Sequence, residues 1–239
     1  MERVKTGLGG LDKMMGGGIV PGSNFVIKGT PGTGKTTLGM QFLINGVKKY
    51  NEPSIYLSTS QEMGNIVAQF EDFDFDVGNM AKDKNKLLLS QFSEASFRKK
   101  GSGKKALQPK DLVEAVNFFL HGETQYKRLV IDSISTLVYN YSNPNEMRHE
   151  LDRVFNFTKS QGLTTLYLTE SPIAEGPFRF EDFLADGIIQ MTDVEDKKLR
   201  LRRGMRVLKH RGSKIDRKLR EYKISPKGID VYPEEDMYV

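Results

Sequence analysis

One segment constrains the fold more than any other part of the chain. It matches the pattern G-x-x-x-x-G-K-[ST] and consists of Gly29-Thr30-Pro31-Gly32-Thr33-Gly34-Lys35-Thr36. The apolar stretch 24–28 before it is typical of a buried strand, and apolar residues recur at helical spacing from Lys35 to about Lys48. Because a strand and a helix flank the turn, the segment has the context in which this pattern forms a phosphate-binding loop.

The residues of this phosphate-binding loop suit a nucleotide. Its glycines let successive backbone N–H groups face a phosphate, and the N-terminus of the following helix adds positive charge. Lys35 is expected to reach the β- and γ-phosphates, and the Thr36 hydroxyl to ligate magnesium. The alternative is a glycine-rich turn that binds nothing. The candidate ATP-binding residues are Gly29, Thr30, Pro31, Gly32, Thr33, Gly34, Lys35, Thr36 and Thr37.

A second magnesium ligand is expected at the end of a neighbouring strand. Residues 128–132 form an apolar run that ends in Asp132. A carboxylate there would complete a magnesium site with Thr36, so ATP and Mg²⁺ are the expected ligands. The alternative is that Asp132 caps a helix, because Ser133 and Ser135 follow it.

The rest of the chain alternates strands and helices up to Gly187. Further strands are predicted at 54–58, 87–89 and 164–168, and helices around 66–70, from a cap at Asp111 through Leu120, and over 146–160. Apolar strands between helices favour a mainly parallel sheet covered on both faces, which is a three-layer α/β fold. Beyond Gly187 only strands are predicted, at 187–192, 206–210 and 220–224, as an antiparallel extension of the sheet edge.

Length and composition limit the number of domains and the kinds of site that the chain can have. Its 239 residues, 38% of them hydrophobic, can bury one core, so a single domain over 1–239 is expected. The absence of cysteine excludes disulfides and thiolate metal sites, and the histidines have no metal-ligand spacing. No apolar run approaches the roughly 20 residues of a membrane helix, and no signal-peptide stretch is present, so a cytoplasmic protein without membrane contact is expected.

The net charge of +5 is unevenly distributed. Basic residues concentrate at 98–105, where glycines favour a loop, and at 197–223, whereas 71–76 is acidic. The second basic segment suggests nucleic acid as a partner, bound through phosphate contacts whose affinity would fall steeply with salt. Against this hypothesis, the sequence has no zinc finger, helix-turn-helix or RNP motif, and the same charges can face solvent or a neighbouring subunit.

Further segments around the loop follow a known family pattern. They are 6–12 and 16–23 before the loop, 131–135 at Asp132, the hairpin Lys209-His210-Arg211-Gly212-Ser213, and 224–229. With these segments in this order, the chain resembles KaiC-like proteins of the RecA superfamily over nearly its whole length. The resemblance implies a RecA-type fold and ATP bound between neighbouring subunits. It also implies a homo-oligomer, commonly a hexameric ring.

The resemblance also gives roles to Lys209 and Arg211. In the family, these positions project from one subunit toward the γ-phosphate bound by the next, where an arginine supplied in trans stabilises developing charge. The alternative is that both residues belong to a solvated edge strand of alternating charge.

The sequence departs from the family after the second strand. KaiC-like proteins usually place one or two catalytic glutamates there, where this chain has Ser60 and Gln61. Glutamine can orient water but is a poor proton acceptor, so general-base catalysis requires a one-residue shift that brings Glu62 to the site. The alternative is that Glu62 is a first-turn helix acid. Glu170 lies where RecA-like proteins carry a γ-phosphate sensor, and a plain surface loop is its alternative.

Together these features predict a slow, magnesium-dependent ATPase that acts as an oligomeric molecular switch. Its candidate catalytic residues are Lys35, Gln61, Glu62, Lys209 and Arg211. Two other hypotheses stay open. One is a nucleic-acid-binding regulator that uses ATP for assembly, and the other is a nucleotide-binding scaffold with little hydrolysis.

Overall fold

The helices and strands follow the predicted alternation. The structure is a computed structural model that describes residues 2–92, 109–135, 143–170, 180–195 and 198–237. The helices are α1 (Gly9–Met14), α2 (Lys35–Tyr50), α3 (Met63–Gln69), α4 (Val77–Met80), α5 (Pro109–Leu120), α6 (Pro144–Ser160) and α7 (Phe180–Leu184). The strands are β1 (Asn24–Gly29), β2 (Ser54–Ser58), β3 (Leu87–Gln91), β4 (Arg128–Asp132), β5 (Thr164–Glu170), β6 (Gly187–Glu195), β7 (Leu201–His210), β8 (Arg220–Ser225) and β9 (Gly228–Asp236).

The strands form one nine-stranded sheet in the order β3-β2-β4-β5-β1-β6-β7-β8-β9. The pairs from β3 to β6 are parallel, and β7, β8 and β9 extend the sheet in antiparallel fashion. The predicted mainly parallel sheet with an antiparallel C-terminal extension is therefore confirmed. Since β1 lies between β5 and β6, the loop that follows Gly29 leaves the middle of the sheet, where α/β folds bind ligands.

Helices cover both faces of the sheet, which makes the fold three-layered. Successive residues of a strand point to opposite faces, and the two cores follow this rule along β1. Phe25 and Ile27 join the core that contains Leu38 of α2, whereas Val26 joins the core that contains Val154 of α6.

Several predicted boundaries differ from the structure. Helix α5 begins at Pro109, so Asp111 lies inside it and the predicted cap at Asp111 is wrong. Helix α6 begins at Pro144, because the Asn143 side chain caps it by accepting a hydrogen bond from the Asn145 N–H at 3.0 Å. After β5, residues 171–179 lie outside the described residues, as does the basic segment 98–105.

No helix in the described part of the chain is both long and apolar enough to cross a membrane. Among the same residues, no group of three or more His, Cys, Asp or Glu side chains has an arrangement that could hold a metal ion.

Candidate nucleotide site

Three glycines shape the phosphate-binding loop between β1 and α2. Gly32 and Gly34 have φ values of +86° and +88°, a backbone region that other residues rarely adopt. A Cβ atom on Gly29 would lie 2.4 Å from the Met191 carbonyl oxygen, so only glycine lets β1 approach β6 so closely there. Gly34 is also the residue directly before α2, so the loop delivers the chain to the N-terminus of that helix.

Lys35 folds back into the loop. Its side chain is only 9% exposed, and its Nζ donates hydrogen bonds to the carbonyl oxygens of Gly29 (3.0 Å) and Thr30 (2.9 Å). Burial lowers the pKa of Lys35, whereas the charges of Glu170 and Asp132 oppose this shift. A largely buried ammonium whose hydrogen-bond partners are neutral carbonyls fits an anionic ligand such as a polyphosphate.

Asp132 connects the loop to the end of β4. Its Oδ2 atom accepts hydrogen bonds from the Thr36 hydroxyl and the Tyr56 hydroxyl, each at 2.7 Å. Burial, together with the charge and hydrogen bond of Asp132, raises the pKa of Tyr56 well above its usual value, so Tyr56 stays a donor. Hydroxyl and carboxylate oxygens are the ligands that Mg²⁺ prefers, so Thr36 and Asp132 fit this ion.

Backbone contacts hold the segment after β2 beside Asp132. Ser58 pairs with Asp132 across β2 and β4, and the Thr59 N–H donates to the Asp132 carbonyl at 2.8 Å. Beyond this anchor, Ser60, Gln61 and Glu62 are all exposed. No hydrogen bond within the described chain joins their side chains to the loop.

Gln61 and Glu62 have different surroundings. The Gln61 amide oxygen accepts a hydrogen bond from Gln69 Nε2 at 2.9 Å, which turns it toward α3. Glu62 precedes α3 without a side-chain capping bond. The catalytic roles expected for both residues stay predictions.

The hairpin residues Lys209 and Arg211 lie away from their own loop, toward the amino end of β1. Lys209 pairs with Ile188, which pairs with Val26, three residues before Gly29 on β1. At about 3.3 Å per residue, this is roughly 10 Å of strand. The cations instead bind the C-terminal end of α7: Lys209 Nζ donates to the Asp182 carbonyl at 2.9 Å, and Arg211 Nη2 to the Phe183 carbonyl at 3.0 Å.

Comparison with known proteins identifies the family. The sequence profile described as "ATPase: KaiC" matches residues 4–236. The chain belongs to this family. A solved structure of a KaiC-like protein from the archaeon Pyrococcus horikoshii superposes with a TM-score of 0.82 at 26% identity, covering 97% of this chain and 99% of the other.

Relatives of two lengths match this KaiC-family chain. A UPF0273 protein of Thermotoga maritima is 30% identical over 98% of both chains. The circadian clock oscillator protein KaiC of Parathermosynechococcus lividus is 28% identical over 98% of this chain but only 43% of its own length. The chain therefore spans less than half of the clock proteins that it matches. What it shares with all of them is a RecA-like, nucleotide-binding P-loop ATPase domain.

The antiparallel extension of this KaiC-family domain supports the phosphate-binding loop directly. The Tyr222 hydroxyl of β8 donates to the Thr33 carbonyl at 2.5 Å. The Gln41 side chain of α2 makes two hydrogen bonds with the backbone of Ile229, one to its N–H at 2.7 Å and one to its carbonyl at 3.2 Å. Sequence reasoning missed these contacts, because nothing local links residues about 190 positions apart.

Many cations of the basic segment are bound within the KaiC-family domain itself. Arg202 forms an ion pair with Glu221, and Arg220 pairs with Asp216 at 2.5 Å. Arg217 donates to the Leu208 carbonyl at 3.1 Å. These side chains bind within the extension, whereas Lys209 and Arg211 bind α7, and none of these contacts gives specific support to a nucleic-acid interface.

Proposed function

We propose that the protein is a slow, magnesium-dependent ATPase that works as an oligomeric molecular switch. The hydrogen bond between the Thr36 hydroxyl and Asp132 carries this proposal, because it brings the two expected magnesium ligands together at 2.7 Å beside the loop. Residues 29–37 hold the phosphates of ATP, and Thr36 and Asp132 hold Mg²⁺. The ion neutralises charge on the phosphates when it is bound.

Within this site, each side chain has a defined task. When ATP binds, the hydrogen bonds from Lys35 Nζ to the carbonyls of Gly29 and Thr30 are replaced by hydrogen bonds to phosphate oxygens. The buried cation then has charged acceptors in place of neutral ones. Asp132 fixes Thr36, and Tyr56 fixes Asp132. Slow turnover follows from the absence of a carboxylate at Ser60 and Gln61, since an amide orients water without accepting its proton.

Assembly into a ring supplies further positive charge at the γ-phosphate. Lys209 lies about 10 Å of strand away from its own loop, and Arg211 follows it beyond the end of β7, so both serve the γ-phosphate held by the next copy. A contact between different surfaces of identical copies closes into a ring, here proposed as a hexamer. Release of the two cations from the end of α7 accompanies this contact, which gives the switch two defined states.

The first experiment measures phosphate release and ATP affinity in the presence of Mg²⁺. The wild type should release phosphate, whereas Lys35→Ala should lose both release and high-affinity ATP binding, because its loop lacks the central cation. Lys49→Ala removes an exposed lysine from the far end of the same helix and should behave like the wild type. Tight ATP binding without phosphate release in the wild type would refute the ATPase and establish a nucleotide-binding scaffold.

A further inference from the structure

The Tyr222 hydroxyl of β8 holds one peptide unit of the phosphate-binding loop from outside the loop. It donates to the Thr33 carbonyl at 2.5 Å, and the two residues are almost fully buried, at 1% and 0% exposed. The carbonyls of Gly29 and Thr30 instead accept hydrogen bonds from side chains of the loop itself. The peptide between Thr33 and Gly34 is therefore a part of the loop that a distant strand can orient.

The orientation of this peptide decides where the Gly34 N–H points. A trans peptide unit is planar, so its carbonyl and its N–H point in opposite directions. Because the Thr33 carbonyl is directed at Tyr222, the N–H of Gly34 points away from β8. No hydrogen bond from this N–H is found within the described part of the chain. An amide of this kind, directly before α2, is available to a phosphate oxygen.

Glycine makes this orientation easy to lose. Gly34 has a φ of +88°, and glycine adopts positive and negative φ about equally readily, so it has no Cβ atom to resist rotation of the peptide before it. Rotation would turn the Gly34 N–H away and would take the buried Thr33 carbonyl off its donor. A buried carbonyl without a partner is costly, so the Tyr222 hydroxyl keeps the peptide in one orientation.

Tyr222 is itself held by strands that are bonded to α2. It pairs with Val231 of β9, and its side chain belongs to the core that contains Leu38 of α2. The Gln41 side chain of α2 bonds both the N–H and the carbonyl of Ile229, at the start of β9. The hydroxyl therefore approaches the loop from a fixed position.

We propose that Tyr222 is a positioning residue for nucleotide binding, whose hydroxyl directs the Gly34 N–H at the phosphates. This inference rests on the proposed function, and it makes the antiparallel extension part of the nucleotide site. Tyr222 acts through the Thr33 carbonyl and is not a catalytic residue. The backbone of such a loop cradles the β-phosphate, which ATP and ADP share, so loss of the hydroxyl should weaken both nucleotides by the same factor.

The test compares full-length Tyr222→Phe, Tyr167→Phe and the wild type. Titration with fluorescent ATP and ADP analogues gives affinities, phosphate release with Mg²⁺ gives kcat, and thermal unfolding without nucleotide gives stability. Tyr222→Phe should weaken both nucleotides about tenfold, because roughly one tenth of the loops keep the competent orientation, while kcat at saturating ATP stays within about twofold. Tyr167→Phe removes a buried hydroxyl 2.7 Å from Thr158 Oγ1, in the core on the other face of the sheet, and should lower stability without changing either affinity.

Each other outcome has a separate meaning. If Tyr222→Phe keeps both affinities within about twofold, or if Tyr167→Phe loses as much affinity, the positioning role is overturned while the nucleotide site stands. If ATP binding weakens and ADP binding does not, or if kcat falls more than affinity, the hydroxyl acts at the γ-phosphate or in the chemical step, which also overturns this role. If the wild type binds neither nucleotide, the proposed function fails, and with it the role of Tyr222.

Discussion

At the scale of single residues, Asp132 decides the geometry of the proposed magnesium site, because its Oδ2 atom accepts hydrogen bonds from Thr36 and Tyr56. The sequence could predict that Thr36 and Asp132 lie together, since a loop pattern and the end of an apolar run are local signals. It could not predict the contact of Tyr56. An aromatic residue in an apolar strand is typical of a core position, and its hydroxyl meets Asp132 only once β2 and β4 pair in register.

Removal of the Tyr56 hydroxyl should weaken magnesium binding more than ATP binding. Tyr56→Phe deletes one of the two donors to Asp132 Oδ2 and keeps the buried ring. A hydrogen bond to a charged group contributes roughly 1.5–3 kcal/mol, so the Mg²⁺ concentration for half-maximal phosphate release should rise about tenfold. Tyr126→Phe removes a hydroxyl bonded to the Lys84 carbonyl and is the control. Identical magnesium titrations for both variants would contradict this role of Tyr56.

At the scale of elements, the extension β8–β9 holds the phosphate-binding loop in shape, and Gly34 is the residue most sensitive to it. Alanine at Gly34 would be strained at φ +88°, and its Cβ would lie 2.6 Å from Ile224 Cδ1. The backbone term alone costs roughly 1–2 kcal/mol, so Gly34→Ala should weaken ATP affinity at least about tenfold in a fluorescence titration. Gly64→Ala has nothing within 4 Å of the new methyl group and should bind ATP normally. Normal ATP affinity in Gly34→Ala would contradict this prediction, because it would show that the loop accommodates the added methyl group.

The length and hydrophobic pattern of an element decide whether it could be predicted from the sequence. The strands at 54–58 and 128–132 match the structure residue for residue, because a buried parallel strand is a continuous apolar run between helices. Helix α1 was missed, since six residues that begin with two glycines are too short for helical periodicity to emerge. The cap at Asp111 was wrong, because Pro109 already fits the first turn of a helix.

At the scale of the whole molecule, the two halves of the proposed site lie toward opposite ends of one sheet. The loop follows the carboxyl end of β1, whereas Lys209 and Arg211 lie near its amino end and bind α7. In this arrangement Arg211 points to α7 and away from the phosphate-binding loop of the same copy. The family resemblance predicts from the hairpin motif that these cations act on the ATP of a neighbouring copy, and this stays a prediction. The strand register shows that they lie away from the loop of their own copy.

Mixing two inactive variants tests this central claim most directly. Lys35→Ala keeps Arg211 but should not bind ATP, and Arg211→Ala should bind ATP but turn it over slowly. In a random equal mixture, half of the sites keep Lys35 and half of those face a copy with Arg211, so phosphate release should recover to about one quarter of the wild-type rate. A mixture no more active than the average of the two separate proteins would contradict a site completed by a second copy.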